Sequence, residues 1–410
     1  MALVASKLRK KIEWLFRRAE GALLPDRVLA TEGAHLDPDG ARLALRAMLD
    51  DLVAVGADHR LAELDRALDH AEDRRAYATK HGLAGVTTFV TAKSRIHRLE
   101  VETFPRHVNN VYVVEREEGT ILVDAGSGLP SSRRDLALAF AVLRAQNERA
   151  RWEALDLCLV THAHSDHFAG TNHLRATSRA ELAVHTLDAP VLSDYGPRLA
   201  SATAALDAFW IDAGVPDAIR LEMRALYGQT KRLFTGEAVA HVLEDGDVVR
   251  GLRVVHVPGH CPGLLCVQVD DVLLTSDHVL ARITPHQFPE SVARFAGLGH
   301  YFESLAKVRD LPGISYALGG HEETIDDLPA RVDAIRAFHD RRLERTLAAF
   351  DGEARTVHEI TGAMFGDQEG YGVILALDEA GAHVEHLART GRLVATRDGE
   401  STRYRRAQPR

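Results

Sequence analysis

Cysteine is scarce in this chain, and long apolar runs are missing from it. The 410 residues include three cysteines, Cys158, Cys261 and Cys266, which form no CxxC pair. Three separated cysteines indicate neither a disulfide framework nor a thiolate cluster for a metal. No run reaches the ~18 apolar residues that suggest a transmembrane helix. The N-terminus lacks the apolar core of a secretory signal, and we therefore expect a cytoplasmic protein.

An excess of positive charge is also missing. Fifty lysines and arginines face 59 acidic residues, which gives a formal net charge of −9. This balance argues against wholesale binding to nucleic acid or to an anionic membrane. The length and the apolar content of 46% are sufficient for two or three domains with a sizeable core.

Potential metal ligands are concentrated at the end of one apolar strand. Residues 157–160 are apolar and are followed by His162, His164, Asp166 and His167. On an extended strand end, two histidines spaced two apart point to the same side. Asp166 and His167, on the turn beyond, would face a second ion next to the first. Four potential ligands within six residues predict a metal site.

Three further residues share this context. His260 lies in a loop rich in glycine and proline, Asp277 follows the apolar run 272–274, and His321 follows the apolar run 314–318. The recurrence of an apolar strand, small residues and a ligand predicts that these side chains complete the site. Nitrogen and carboxylate ligands suit Zn²⁺. Fe and Mn stay open as alternatives because availability and geometry choose among these metals.

The predicted ligand set can hold two ions. Two ions about 3.5–4 Å apart would share a hydroxide and a bridging carboxylate. The pKa of the bound water would fall toward about 7, so a nucleophile exists at neutral pH without a catalytic serine or cysteine.

This pattern resembles the metallo-β-lactamase fold superfamily over roughly residues 95–325. The resemblance implies a four-layer αβ/βα sandwich and a residue-by-residue assignment of ligands. Asp124 matches the family's aspartate that orients the ligand loop. The implied ligands are His162, His164 and His260 for one ion, Asp166, His167 and His321 for the other, and Asp277 as the bridge.

The sequence departs from the family's pattern at two positions. Ser276 stands where the family often has glycine before the bridging aspartate, and we expect it to shift that loop slightly. Glu322 stands where glycine usually follows the last histidine, and we expect its carboxylate to be solvated.

The pattern of apolar and charged residues divides the chain into three predicted parts. Residues 1–84 are predicted to form an N-terminal helical extension, for which dimerisation is one interpretation. Residues 85–329 are predicted to form the metallo-β-lactamase-like domain, with a helical insertion at about 195–235 that is either a lid or simple packing. Residues 330–410 are predicted to form three helices and a hairpin, which is the pattern of a winged helix.

The leading functional prediction is a dinuclear zinc hydrolase of a small ester, thioester or lactone. The bridging hydroxide would attack the carbonyl, the ions would stabilise the oxyanion, and Asp166 would accept a proton from the nucleophile. The helical insertion would bind an apolar acyl group. Similarity to a branch of general metallo-hydrolases with a winged-helix-like end implies that further residues border the pocket. The predicted pocket residues are Phe209, Trp210 and Tyr227 from the insertion, with Arg282 and His286.

A ribonuclease or phosphodiesterase with the same two-metal site is the alternative. Its support is the C-terminal unit, where arginines outnumber acids and a basic wing would bind a nucleic-acid backbone. The arginines are Arg389, Arg392, Arg397, Arg403, Arg405, Arg406 and Arg410. A DNA-binding regulator ranks last, because residues 379–390 carry acidic groups that repel phosphate.

Overall fold

The computed structural model describes residues 86–104, 107–129, 151–231 and 235–408, together with residues 132–133, 135–137, 139–140 and 143. The helical extension predicted for residues 1–84 lies outside the described residues. The chain divides into two compact units. Described residues up to Val160 and residues 166–182 form the first unit, and residues 161–165 with those from 183 onward form the second. The unit boundary therefore falls inside the 162–167 motif.

The first unit is built on a sheet whose strands are paired in chain order. Neighbouring strands β1 to β4 are antiparallel, whereas β5 runs parallel to β4. The last three residues of β4 and all of β5 are buried, which fits the apolar run that the sequence places before the motif. The strands are β1 Val86–Val90, β2 Ser94–Phe104, β3 His107–Arg116, β4 Gly119–Val123 and β5 Leu157–Leu159.

Helical residues follow β4 and flank the motif. Where residues 132–143 are described, the backbone is helical, and Leu136, Phe140 and Leu143 are buried. Asp166 and His167 lie in the one-turn helix α1 Ser165–Phe168 rather than on an open turn. Helix α2 Thr171–Thr177 and strand β6 Glu181–His185 come next.

The second unit contains a six-stranded sheet with the order β13-β12-β11-β10-β9-β8. Strands β11 and β12 are parallel, and the other neighbours are antiparallel. Every residue of β11 is buried, so this strand stays in the core up to its end. The strands are β7 His241–Leu243, which pairs with the end of β6, β8 Val248–Val249, β9 Leu252–His256, β10 Leu265–Val269, β11 Val272–Ser276, β12 Tyr316–Gly319 and β13 Thr324–Ile325.

Helices make up most of the rest of the second unit. Two long helices occupy the predicted insertion, and three helices followed by a hairpin occupy the C-terminal segment. Thr356 and Glu359 form a capping box at the start of α8, which satisfies backbone N–H groups there. The helices are α3 Ala189–Ser193, α4 Tyr195–Asp212, α5 Asp217–Lys231, α6 Leu298–Arg309, α7 Leu328–Ala348, α8 Val357–Phe365 and α9 Tyr371–Arg389, and the hairpin strands are β14 Leu393–Asp398 and β15 Ser401–Arg406.

The C-terminal helices share one apolar core with the sheet of the second unit. Val255 and Leu273 from the sheet belong to the same buried cluster as Tyr301, Ile335 and Val384 from α6, α7 and α9. The C-terminal segment is thereby packed onto the elements that carry the candidate ligands. Strand β12 begins at Tyr316, two residues later than predicted, after the turn at Gly313, whose φ is 75°.

Candidate metal centre

Three histidines of the second unit converge at the ends of their strands. The His164 Nδ1 atom lies 3.0 Å from His162 Nε2 and 3.0 Å from His260 Nε2. The rings of His164 and His260 are nearly perpendicular, with an interplanar angle of 87°. Three histidine nitrogens that converge in this way can supply three of the four ligands of a tetrahedral Zn²⁺ ion. These residues form what we term the three-histidine cluster.

The remaining ring nitrogens of the cluster are oriented by neighbours. His260 Nδ1 donates to the His286 carbonyl oxygen at 2.5 Å, so its Nε2 carries the lone pair. The Nδ1 atom of His162 lies 3.2 Å from the Thr161 hydroxyl oxygen. Contacts of this kind fix the tautomer of a metal-ligating histidine. The donor set therefore fits a divalent ion.

The Asp277 carboxylate lies between two histidines. Its Oδ2 atom is 3.8 Å from His260 Nε2, and its Oδ1 atom is 3.4 Å from His321 Nε2. The predicted convergence of His260, Asp277 and His321 is thus present within the second unit. The two oxygens of Asp277 therefore lie near two different candidate ligands.

Ser276 occupies the position where the resemblance led us to expect glycine. Its φ is 47°, in the left-handed region that favours glycine. Its hydroxyl oxygen lies 2.7 Å from the Thr161 hydroxyl and 3.4 Å from His162 Nδ1. The serine hydroxyl is therefore part of the group that surrounds His162, a contact that the sequence did not reveal.

Asp188 is a site residue that the sequence did not reveal. Its carboxylate is buried and accepts the N–H groups of Ala163 at 2.8 Å and Gly263 at 3.0 Å. Burial raises the pKa of this carboxyl, and the two N–H donors oppose that rise. A Cβ on Gly263 would lie 2.4 Å from the Asp188 Cγ atom, so only glycine lets the carboxylate come this close. The one available signal was an aspartate just after a buried strand.

The first unit contains its own group of candidate ligands. His167 Nδ1 donates to Asp124 Oδ2 at 2.8 Å, which leaves His167 Nε2 as the ligand atom. Asp166 Oδ2 accepts from Asn109 Nδ2 at 3.1 Å and lies 3.2 Å from His107 Nε2. Asp124 thus contacts the candidate ligand His167 directly. His107 and Asn109 were missed, because they begin a strand whose apolar residues dominate its pattern.

The predicted pocket residues are distributed differently. Trp210 is fully buried in the apolar core and Phe209 is 8% exposed there, whereas Tyr227 is half-buried beside that core. The ring of His286 stacks edge-on against Phe288, with centroids 4.7 Å apart. The Arg282 side chain is 71% exposed.

The expectation for Glu322 was wrong. Its carboxylate accepts the N–H groups of Arg282 at 2.7 Å and Ile283 at 3.2 Å, and its side chain is only 12% exposed. Two backbone donors hold the carboxylate in place of water, so Glu322 ties the loop after Asp277 to the loop after His321.

A family model decides the identity of this fold. The model described as the metallo-beta-lactamase superfamily matches residues 105–321, more than half of the chain. The chain belongs to the metallo-beta-lactamase superfamily. The predicted family and the mixed α/β fold are confirmed, and the chain is a metallo-beta-lactamase superfamily hydrolase.

Curated relatives of this superfamily resemble the chain at moderate identity. The lactamase-like protein aptB of Emericella nidulans is 30% identical over 277 residues, which span 63% of this chain and 68% of the relative. The acyl-coenzyme A thioesterase MBLAC2 of Bos taurus is 30% identical over 179 residues, which span 42% of this chain and 58% of the relative.

Solved structures of metallo-beta-lactamase type share the fold. A beta-lactamase domain protein from Burkholderia ambifaria superposes with a TM-score of 0.63 at 24% identity, covering 78% of this chain and 94% of the neighbour. A metallo-beta-lactamase family protein from Thermus thermophilus gives a TM-score of 0.61 at 24% identity, covering 76% of this chain and 98% of the neighbour. Among the described residues, no helix combines the length and apolarity needed to cross a bilayer.

Proposed function

We propose that this chain is a dinuclear zinc-dependent hydrolase of a small thioester, ester or lactone. The observation that carries the proposal is the three-histidine cluster with Asp277 beside it, His260 Nε2 lying 3.0 Å from His164 Nδ1. The similarity to an acyl-coenzyme A thioesterase favours a thioester among the three substrate classes.

The proposed ligand sets follow the motif. His162, His164 and His260 would hold one ion, and Asp277 would bridge it to the second. Asp166, His167 and His321 would hold the second ion. The support is chemical, because Asp277 directs its two oxygens toward two different histidines, and Asp124 leaves His167 Nε2 as the ligand atom.

Hydrolysis would use the ions and a small number of side chains. When bound, two ions polarise the attacked carbonyl and lower the pKa of water toward about 7. Asp166 would receive the proton of the attacking water, because its Oδ2 atom lies 3.5 Å from Nε2 of the candidate ligand His167. Asn109 and His107 hold that carboxylate, with Asn109 Nδ2 donating to Asp166 Oδ2 at 3.1 Å.

The substrate would meet residues of the second unit. Tyr227 is half-buried and offers an apolar ring for an acyl chain, whereas the complete burial of Trp210 favours a packing role. Arg282 is held by Glu322 and Glu323, at 3.5 and 3.2 Å, while most of its side chain faces water. Its guanidinium suits the carboxylate or phosphate of a carrier group on the substrate.

The nuclease alternative receives less support from the C-terminal segment. Arg389 and Arg392 pair with Glu290 and Glu344, and Arg397 and Arg403 pair with Asp212 and Asp398. Arginines whose charge is balanced by neighbouring carboxylates attract a phosphate backbone weakly. For the three helices and the hairpin of this segment, we favour packing over nucleic-acid binding.

Metal analysis and substrate hydrolysis test the proposal together. We expect two equivalents of zinc per chain, and hydrolysis of acyl-coenzyme A, aryl ester or lactone substrates that stops after chelation and returns with zinc. His164→Ala should abolish turnover, whereas the exposed Arg250→Ala should leave it unchanged. Activity that persists in metal-free protein would refute the mechanism. Steeply salt-dependent binding and cleavage of single-stranded RNA would favour the nuclease instead.

A further inference from the structure

The C-terminal helix α9 touches the loop that orients a candidate metal ligand. This loop, residues 284–289, contains His286, whose carbonyl oxygen accepts from His260 Nδ1 at 2.5 Å. The next residue, Gln287, is fully buried, and its N–H donates to the Glu379 Oε2 atom of α9 at 2.8 Å. A single buried carboxylate therefore fixes the peptide unit that holds His260.

Glu379 is itself held on several sides. Arg342 of α7 donates to its Oε1 atom, and His286 Nδ1 lies 3.5 Å from its Oε2 atom. The carboxylate is buried with only 8% of the side chain exposed. A buried carboxylate with an arginine partner and a backbone N–H donor has little freedom to move.

The backbone of α9 also comes unusually close to this loop. Gly381 has no side chain, and a Cβ placed there would lie 2.9 Å from Pro289 Cγ and 2.5 Å from Phe209 Cζ. The helix, the loop and the end of α4 are therefore in direct contact, and the position of Glu379 is set by packing as well as by hydrogen bonds.

We propose that Glu379 is a positioning residue for the candidate ligand His260, and that the C-terminal helices hold the loop that orients this ligand. Arg342 holds the Glu379 carboxylate, which accepts the Gln287 N–H. The carbonyl of the same peptide unit, that of His286, accepts from the His260 ring. This inference rests on the proposed function only in taking His260 as a metal ligand.

Loss of the Glu379 carboxylate should loosen His260 without unfolding the chain. Removing a group that orients a metal-bound histidine typically lowers metal affinity by about 10–100-fold. In Glu379→Gln, one oxygen can still accept the Gln287 N–H while the ion pair with Arg342 is lost. In Glu379→Ala, both contacts are lost. We therefore expect zinc affinity to fall in the order wild type, Glu379→Gln, Glu379→Ala.

Glu385 provides a matched control on the same helix. Its carboxylate accepts the Ser291 N–H at 3.4 Å and pairs with Arg389, so it also ties α9 to the same stretch of chain, but not at His286. Zinc affinity would be measured by competition with a chelator, the ligand field by the visible spectrum of the Co²⁺-substituted protein, and the fold by the melting temperature of metal-free protein.

The expected result is a graded loss of zinc affinity and an altered Co²⁺ spectrum in the Glu379 variants, with Glu385→Gln like wild type. Unchanged zinc affinity in both Glu379 variants would overturn the inference. An equal loss of affinity and of melting temperature in Glu379→Gln and Glu385→Gln would also overturn it, because it would reflect general loosening of α9. Wild-type protein that binds zinc but hydrolyses none of the substrates would refute only the proposed function.

Discussion

The Asp188 carboxylate accepts the Ala163 N–H at 2.8 Å, between the two motif histidines of the second unit. The same carboxylate accepts the Gly263 N–H at 3.0 Å, and the Cys261 thiol lies 3.4 Å from it. One buried side chain thereby joins the loop that carries His162 and His164 to the loop that carries His260. The three-histidine cluster depends on this connection because its ligands come from distant parts of the sequence.

Asp188→Asn should weaken both the fold and metal binding. An amide NH₂ would face one of the two backbone N–H donors and leave it unpaired, at a cost of about 1–3 kcal/mol. We expect the free energy of unfolding to fall by this amount in urea denaturation, with lower zinc affinity. Gly263→Ala should act similarly because its Cβ would displace the carboxylate. The exposed Asp194→Asn is the control, and equal effects in the two aspartate variants would contradict this account.

Substitutions of Ser276 separate backbone strain from histidine positioning. Glycine at this position removes the cost of a left-handed φ, about 1–2 kcal/mol, whereas alanine retains that cost. Both remove the hydroxyl beside Thr161 and His162. We expect metal-free Ser276→Gly to be more stable than Ser276→Ala, while both bind zinc less tightly than wild type. Zinc titration and thermal unfolding measure the two effects separately, and a wild-type zinc affinity in Ser276→Gly would show that the hydroxyl positions nothing.

Asp124 should control the ligand state of His167. Its carboxylate accepts the His167 Nδ1 proton at 2.8 Å and so keeps Nε2 available as a lone pair. Asp124→Ala removes this acceptor, and the affinity for one of two zinc equivalents should fall by about 10–100-fold. Asp135→Ala is a useful comparison in the first unit, because Asp135 accepts the Glu102 N–H away from the motif. Stepwise zinc titration is the measurement, and two unaltered binding steps would exclude this role.

The buried pair His339 and His383 should make the second unit sensitive to acid. Burial, with the positive charge of Arg342 adding to its effect, lowers the pKa of His339 to about 2 and that of His383 to about 3. The unfolded chain, with histidine pKa values near 6.5, binds more protons at lower pH. Stability is therefore fully present above pH ~6.5 and falls as the pH decreases toward 3, by about 1.4 kcal/mol per pH unit for each histidine.

A histidine variant tests this pH dependence. In His339→Leu, the slope of the unfolding free energy against pH should decrease by about one proton between pH 6 and 4. The half-buried His358→Leu on α8 is the comparison variant, which removes a histidine outside the buried pair. Urea denaturation at a series of pH values gives the slopes, and identical slopes in all three proteins would rule out the pair as the source.

The sequence was most informative where ligands follow apolar strands. His162 and His164 are two positions apart at the end of a buried strand. On an extended backbone this spacing directs both side chains to the same side, whatever the rest of the fold. Asp277 and His321 were predicted in the same way, and their approach to 3.4 Å is present in the second unit. A helical insertion was predicted at about 195–235, and helices α4 and α5 lie within these bounds.

Contacts between distant segments of the chain could not be predicted from the sequence. Asp188, Glu322 and Glu379 act by accepting backbone N–H groups, and a backbone donor has no signature in the residue type that carries it. Glu322 was expected to be solvated for this reason, although two N–H groups bind it. Trp210 was predicted to line a pocket, but its ring is fully buried in the core.

By itself, the order of residues determined which side chains are the candidate metal ligands, because metal ligation needs particular lone pairs at the ends of buried strands. The family and the α/β class follow from that same local pattern. Only the tertiary structure decided what holds those candidate ligands in place, since the hydrogen bonds that Asp188 and Glu379 accept join segments between 25 and 92 positions apart. Such contacts form when the chain is folded, and local sequence does not encode their partners.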